Sequence, residues 1–391
     1  MAKKLISVWL SLTILLFSTI IIYAEDNVQG YFLNRNIDIN GNRIVNYYLD
    51  SPFFLYQGST YFPLTEEMGE LLGFTAEMDW ESRTLKILKK EPVKTQLTED
   101  KLKCNLRNPS AAILDNITVL AIAEKKEKLG LPVILKEEPL TPTELDINGQ
   151  LEEVKAQVDK EIIKVPELVA EELDLTDLNI LQVGDTLYMP FRKLVGDSCF
   201  GWDIFYDDYS GLYVSTDQAI TAVSYFDKIE SDYNRGLASY IKSKNNSVTD
   251  GKALMLVFLF KHEAQVYGVD EILLMAMAQK ESSFRTDAVG SGSGPVGLMQ
   301  IMPSTAKRYG IARSQLFNPH VNIEFGAKYI GDKLKHYDSK TIALSAYNQG
   351  GGAISRGSYN TRYAGRITAA EGSLTDYLVK NGYGLGEKGE K

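Results

Sequence analysis

The sequence predicts a multidomain α+β protein in which two small β-rich modules precede an all-α domain. Three observations predict it: a faint internal repeat in the first half, a change of hydrophobic period near Gln218, and an N-terminus that resembles neither. The chain has 391 residues, 44% apolar and 24% charged, a globular composition with room for several cores. A formal net charge of -9 lacks the clustered Lys and Arg that nucleic acid or an anionic membrane surface requires, so no nucleic-acid partner is expected.

Residues 1–24 place Lys3 and Lys4 before an uncharged apolar run from Leu5 to Tyr23, with Ala24 before Glu25 and Asp26. The pattern reads as an export signal. Because about 17 to 25 apolar residues can cross a bilayer, a retained anchor is the alternative, and contact with a membrane is expected only in that case. Either reading puts the rest of the chain outside the cytoplasm. Cys104 and Cys199, the only cysteines, are too few for a disulfide framework and stand as isolated apolar residues or as one pair. His262, His320 and His336 are scattered without HExxH or CxxC spacing, so neither a metal site nor a cofactor is expected.

The first β-rich module, with its linker, is read at 25–140 and a weaker second at 141–216. "IDINGNRI" from Ile37 matches "LDINGQLE" from Leu145, and Asn40-Gly41 and Asn148-Gly149 are hairpin dipeptides. "QGSTYFPLTEEMGELLGFTAEMDWESRTLKI" (57–87) and "VGDTLYMPFRKLVGDSCFGWDIFYDDYSGLYVS" (183–215) then run alike: a Gly turn, a β-run, a Pro before a short helix, a Gly, and two strands. The series G-x-T-x-x-P, short helix, Gly and W-x-x-x-T-L-x-I resembles the copper amine oxidase N-terminal-like domain, a small β-rich module of exported bacterial proteins. The first copy carries the resemblance best, neither copy supplies copper ligands, and the modules leave a protein or cell-wall partner open.

Residues 217–391 read as helical. Ile220, Val223, Phe226, Ile229, Tyr233, Leu237 and Ile241 mark a first amphipathic helix. Thr249 or Asp250 opens a second that ends at Gly268, Asp270 caps a third, Asn322 a fourth, and Ser339 a fifth before Gly350. On the third, Leu274, Met277, Ala278 and Glu281 fall at i, i+3, i+4 and i+7. An apolar stripe that ends in a carboxyl, in the last turn of a helix, raises the pKa of that carboxyl and suits it to general acid work. A solvated helix end is the alternative for this helix taken alone.

"QKESSF", "SGPVGLMQIMPSTA", "NPHVNIEFGAKYI" and "ALSAYNQGGGAI" are similar in order and spacing to the SLT-type lytic transglycosylase domain, a goose-lysozyme-like helical fold. The resemblance spans about 110 residues. It implies that Glu281 is the catalytic glutamate and that Ser282, Ser291, Met299, Gln300, Tyr347 and Asn348 form the substrate-binding set. In that reading Gln300 and Asn348 fix N-acetyl groups, Met299 lines a sugar face, and Tyr347 orients Glu281. It implies cleavage of peptidoglycan glycan strands between N-acetylmuramic acid and N-acetylglucosamine with formation of 1,6-anhydromuramoyl ends. A hydrolytic muramidase and a glycan-binding protein without catalysis are the alternatives. The motifs supply no second acid, Asp287 and Glu324 reading as surface, which favours a single-carboxylate mechanism over the usual pair. Pro295 departs from the family pattern and removes an N–H from the turn. Because every matched residue lies beyond Gln218, the β modules are expected to be dispensable for bond cleavage.

Overall fold

The computed structural model describes residues 27–98, 110–114, 118–125, 169–174 and 179–386, apart from 34, 197, 198 and 293. The N-terminal signal or anchor, Cys104, and the "LDINGQLE" segment lie outside the described residues. Cys199 is buried and has no disulfide partner among the described residues.

Fifteen strands among the described residues form the β-rich part. They comprise β1 (Asn27–Gln29), β2 (Tyr31–Phe32), β3 (Asn36–Ile39), β4 (Asn42–Ile44), β5 (Phe54–Tyr56), β6 (Ser59–Pro63), β7 (Phe74–Asp79) and β8 (Thr84–Lys89). There follow β9 (Ser110–Leu114), β10 (Thr118–Lys125), β11 (Val169–Asp174), β12 (Ile180–Val183), β13 (Thr186–Pro190), β14 (Asp203–Asp207) and β15 (Gly211–Ser215). Between β6 and β7 lies helix α1 (Glu66–Leu72), capped by the Thr65 hydroxyl and stopped by Gly73 in the left-handed region. Its counterpart after β13 is a single 3-10 turn, Phe191–Lys193.

The two repeats are interleaved. β6 and β13, equivalent strands, pair antiparallel about Phe62 and Met189, so that Tyr61 faces Pro190 and Pro63 faces Tyr188. That register maps each strand onto the other, a local pseudo-two-fold. It extends outward: one sheet runs β1-β9-β12-β13-β6-β5-β2. In the other two sheets, β3–β4 of the first repeat adds to β15 of the second, and β10–β11 adds to β8 of the first. The structural partner of β3–β4 is therefore β10–β11, whereas the sequence repeat pointed to Leu145. One core serves both repeats, with Phe62, Phe74 and Phe191 around the buried Trp202. Asn40-Gly41 makes the expected hairpin, both residues at positive φ.

The remainder is helical: α2 (Lys228–Lys244), α3 (Asp250–Tyr267), α4 (Glu271–Ser282), α5 (Pro303–Lys307), α6 (Pro319–His336), α7 (Lys340–Gln349), α8 (Gly351–Ser355) and α9 (Arg362–Lys380). The Thr249, Gly268 and Asp270 signals act as expected. Three readings differ. α2 starts only at Lys228, because Asp227 takes the Ile229 and Glu230 amides; Ile220 and Val223 are exposed before it. α6 starts at Pro319 with Asn318 as its cap, leaving Asn322 buried inside the first turn. Ser339 precedes α7, but its side chain makes no capping bond. Among the described residues no helix is long and apolar enough to cross a membrane.

Candidate active site

Helix α4 is the centre of the helical domain. Leu274, Met275, Ala276, Met277 and Ala278 are all fully buried, so the helix is enclosed on every side between α3 and α9, where the sequence stripe suggested one buried face. Glu281 stands in its last turn, half-buried. The helix then stops abruptly: Ser283 and Phe284 both take left-handed φ, 52° and 58°, and Phe284 turns back into the core. Two successive non-glycine residues in that region are a local strain of the kind that clusters at functional sites.

Burial pushes the Glu281 carboxyl above its ordinary pKa. The Tyr363 hydroxyl donates to Glu281 Oε1 at 2.6 Å, and the Arg366 charge acts in the same direction; both favour the carboxylate without cancelling the burial effect. The tyrosine that orients the acid is thus Tyr363. Tyr347, expected in that role, donates instead to the Met299 carbonyl at 2.9 Å and stacks on Tyr363, ring centroids 6.4 Å apart and planes 10° apart. The sequence did hold a signal for Tyr363. It opens the stripe Tyr363, Ile367, Ala370, Leu374 and Leu378 on α9, and a buried tyrosine hydroxyl needs a partner.

The loop after α4 is closed by backbone. Gly290 N–H donates to the Pro295 carbonyl at 2.8 Å, so Pro295 contributes its oxygen where it lacks an N–H. Val296 and Ile301 exchange both of their backbone bonds, and Gln300 sits at the tip with φ of 46°. Gln300 Nε2 donates to Ala288 and Gly297 carbonyls at 3.3 and 2.8 Å. Asn322, which the sequence placed at a helix cap, instead holds this loop from below. Its Oδ1 accepts from Met299 N–H at 2.7 Å, and its Nδ2 donates to the Val296 and Leu316 carbonyls, both at 2.9 Å.

The other expected site residues divide. Ser291 and Asn348 are exposed and Gln300 and Tyr347 half-buried. Met299 is fully buried and packs against Gly326, so it fills the floor of the loop and presents no sugar-facing wall. Ser282 is buried and donates to the Ala278 carbonyl one turn back at 3.1 Å, a bond internal to α4. Asp287 is exposed, and Glu324 accepts from Tyr267 at 3.0 Å between α6 and α3.

Residues 258–368 match the family described as Transglycosylase SLT domain. Similar curated proteins include membrane-bound lytic murein transglycosylase C of Histophilus somni, 37% identical over 121 residues, which are 27% of this chain and 33% of that one. The protein of the same name from Yersinia enterocolitica is 34% identical over 27% of this chain and 34% of that one. The chain spans about a third of the length of these relatives. Among solved structures, an inactive mutant of lytic transglycosylase Slt from Pseudomonas aeruginosa aligns over 42% of this chain and 32% of that one, with 20% identity and a TM-score of 0.28. Glu281, its tyrosine Tyr363 and the Asn322-held loop all fall within residues 258–368, the span that matches the transglycosylase SLT domain.

Proposed function

We propose that this protein is an extracytoplasmic peptidoglycan lytic transglycosylase whose one catalytic carboxyl is Glu281, carried by a helical part that begins near Gln218 and follows two interleaved β-rich repeats. The observation that carries the reading is the Glu281–Tyr363 pair: a carboxyl made more basic by burial, yet held by a hydroxyl that also stabilises its ionised form. Such a group is suited to donate and then accept the same proton. Glu281 protonates the glycosidic oxygen as its bond to C1 of N-acetylmuramic acid breaks, while the acetamido oxygen of that sugar bonds to C1. The carboxylate so formed takes the proton of the C6 hydroxyl as O6 closes on C1 and displaces the amide oxygen. The proton returns to Glu281 and no water is consumed. Gln300, Ser291 and Asn348, at the loop tip, in the Gly turn and at the end of α7, are the polar groups proposed to hold the strand.

Tethering favours this outcome over hydrolysis, since an intramolecular hydroxyl reaches effective molarities of about 10⁵ M or more. Glu324, the other acid weighed, is engaged with Tyr267. Digestion of purified peptidoglycan followed by mass spectrometry tests the proposal. Anhydromuramoyl ends, each lighter than the hydrolysed product by one water, are expected; reducing muramic ends would make the enzyme a muramidase, and no release would leave only glycan binding.

A further inference from the structure

The β-rich part touches the helical domain through a short turn. Residues 45–53 join β4 to β5 and contain a 3-10 turn, Asn46–Tyr48. Asn46 anchors that turn to its own repeat, accepting from Phe53 N–H at 2.7 Å and donating to the Phe53 and Leu33 carbonyls. Tyr47 and Tyr48 point the other way. With Phe32 they are buried in the core of the helical domain.

Their neighbours there are specific. The Tyr48 hydroxyl donates to Glu263 Oε1 on α3, both groups fully or almost fully buried. Tyr47 stacks on the His320 imidazole at 5.6 Å and 7°, and the Tyr48 ring meets its edge at 5.0 Å. His320 is the second residue of α6. Asn322, two residues further, holds the Met299 amide and the Val296 carbonyl of the loop that carries Gln300. Above the loop, the Met299 carbonyl takes Tyr347, which stacks on the tyrosine bound to Glu281. One packed series therefore runs from the β-rich part to the catalytic acid, through the first turn of α6.

We infer that Tyr47 and Tyr48 are positioning residues: they brace the first turn of α6 so that Asn322 keeps the 296–301 loop in register with Glu281. The β-rich part is then a structural component of the catalytic site, although it contributes no group that meets substrate. The inference rests on the site reading above but not on the bond that is cut, and its test needs no glycan.

The test is backbone amide exchange in the full-length protein. Tyr48→Phe keeps the ring and removes the hydroxyl; Tyr47→Leu removes the stack and leaves the Tyr48–Glu263 bond in place. In both, exchange at the Met299 and Ile301 amides should quicken about tenfold, more than at the slowest amides of α4 and α9, which report whole-molecule opening. Unchanged exchange at Met299 would overturn the inference. So would an acceleration at the slowest α4 and α9 amides as large as that at Met299, because it would make these tyrosines ordinary contributors to stability. Anhydromuropeptide release by the unaltered protein is scored separately, so failure of the enzymatic reading and failure of the brace are distinguishable.

Discussion

The proposed reaction asks two things of Glu281 that conflict. Its folded-state pKa lies above the ordinary value, so the stability it contributes is complete below the unfolded-state pKa and is lost as pH rises through the folded one. Above that folded-state pKa the protein carries the expense of a buried carboxylate. Glu281→Gln should abolish glycan cleavage, since an amide neither donates nor accepts the proton, and should also raise the melting temperature. Calorimetry across pH checks the sign: the gain should vanish in acid, grow as pH rises from the unfolded-state pKa to the folded one, and stay level above it. Tyr363→Phe removes a group that lowers the Glu281 pKa, so the alkaline limb of the pH–rate profile should move to higher pH, with turnover down about 10- to 100-fold. The raised pKa of Glu281 was legible in the sequence because a carboxyl ends an apolar helix. Its partner was misassigned between two tyrosines, because spacing along a chain cannot say which of two stacked rings presents its hydroxyl.

At the scale of elements, the glycines show where helices serve the site. Gly326 lies inside α6, where alanine is ordinarily better by about 0.5 to 1 kcal/mol. A methyl there would meet Met299 Cγ at 2.7 Å. Overpacking of about 1 to 3 kcal/mol exceeds the propensity gain, so Gly326→Ala should destabilise and displace the loop floor. Gly372, exposed on α9 with nothing near its missing Cβ, is the control: Gly372→Ala should stabilise by up to about 1 kcal/mol in denaturant titrations. The helix order, the Asp270 and Thr249 caps and the Gly268 stop were all readable, since each is a local signal. Asn322 was not: an Asn before an apolar run reads as a cap, and only the neighbouring Asn318-Pro319 start of α6 frees it to hold the loop.

At the scale of the molecule, the sequence suggested a helical half able to work alone, and the shared core argues otherwise. A chain beginning at Gln218 would lack Phe32, Tyr47 and Tyr48, which would open to water the apolar surface they cover and take the tyrosine donor from Glu263. Against the 5 to 15 kcal/mol typical of a domain, this shortened chain should melt well below the full protein or fail to fold, as thermal circular dichroism would show. The repeat itself was visible in sequence, but not its interleaving, because strand exchange between like units leaves the hydrophobic pattern of each unit unchanged. That exchange also sets a timetable for synthesis. β3 finds its outer neighbour only when β15, starting at Gly211, has been made, and β8 must wait for β10. Until residue 215 is available, the first repeat has no way to close its sheets, and a chain arrested earlier carries open strand edges. Under the extracytoplasmic role proposed above, such a delay keeps the part made first from locking before export.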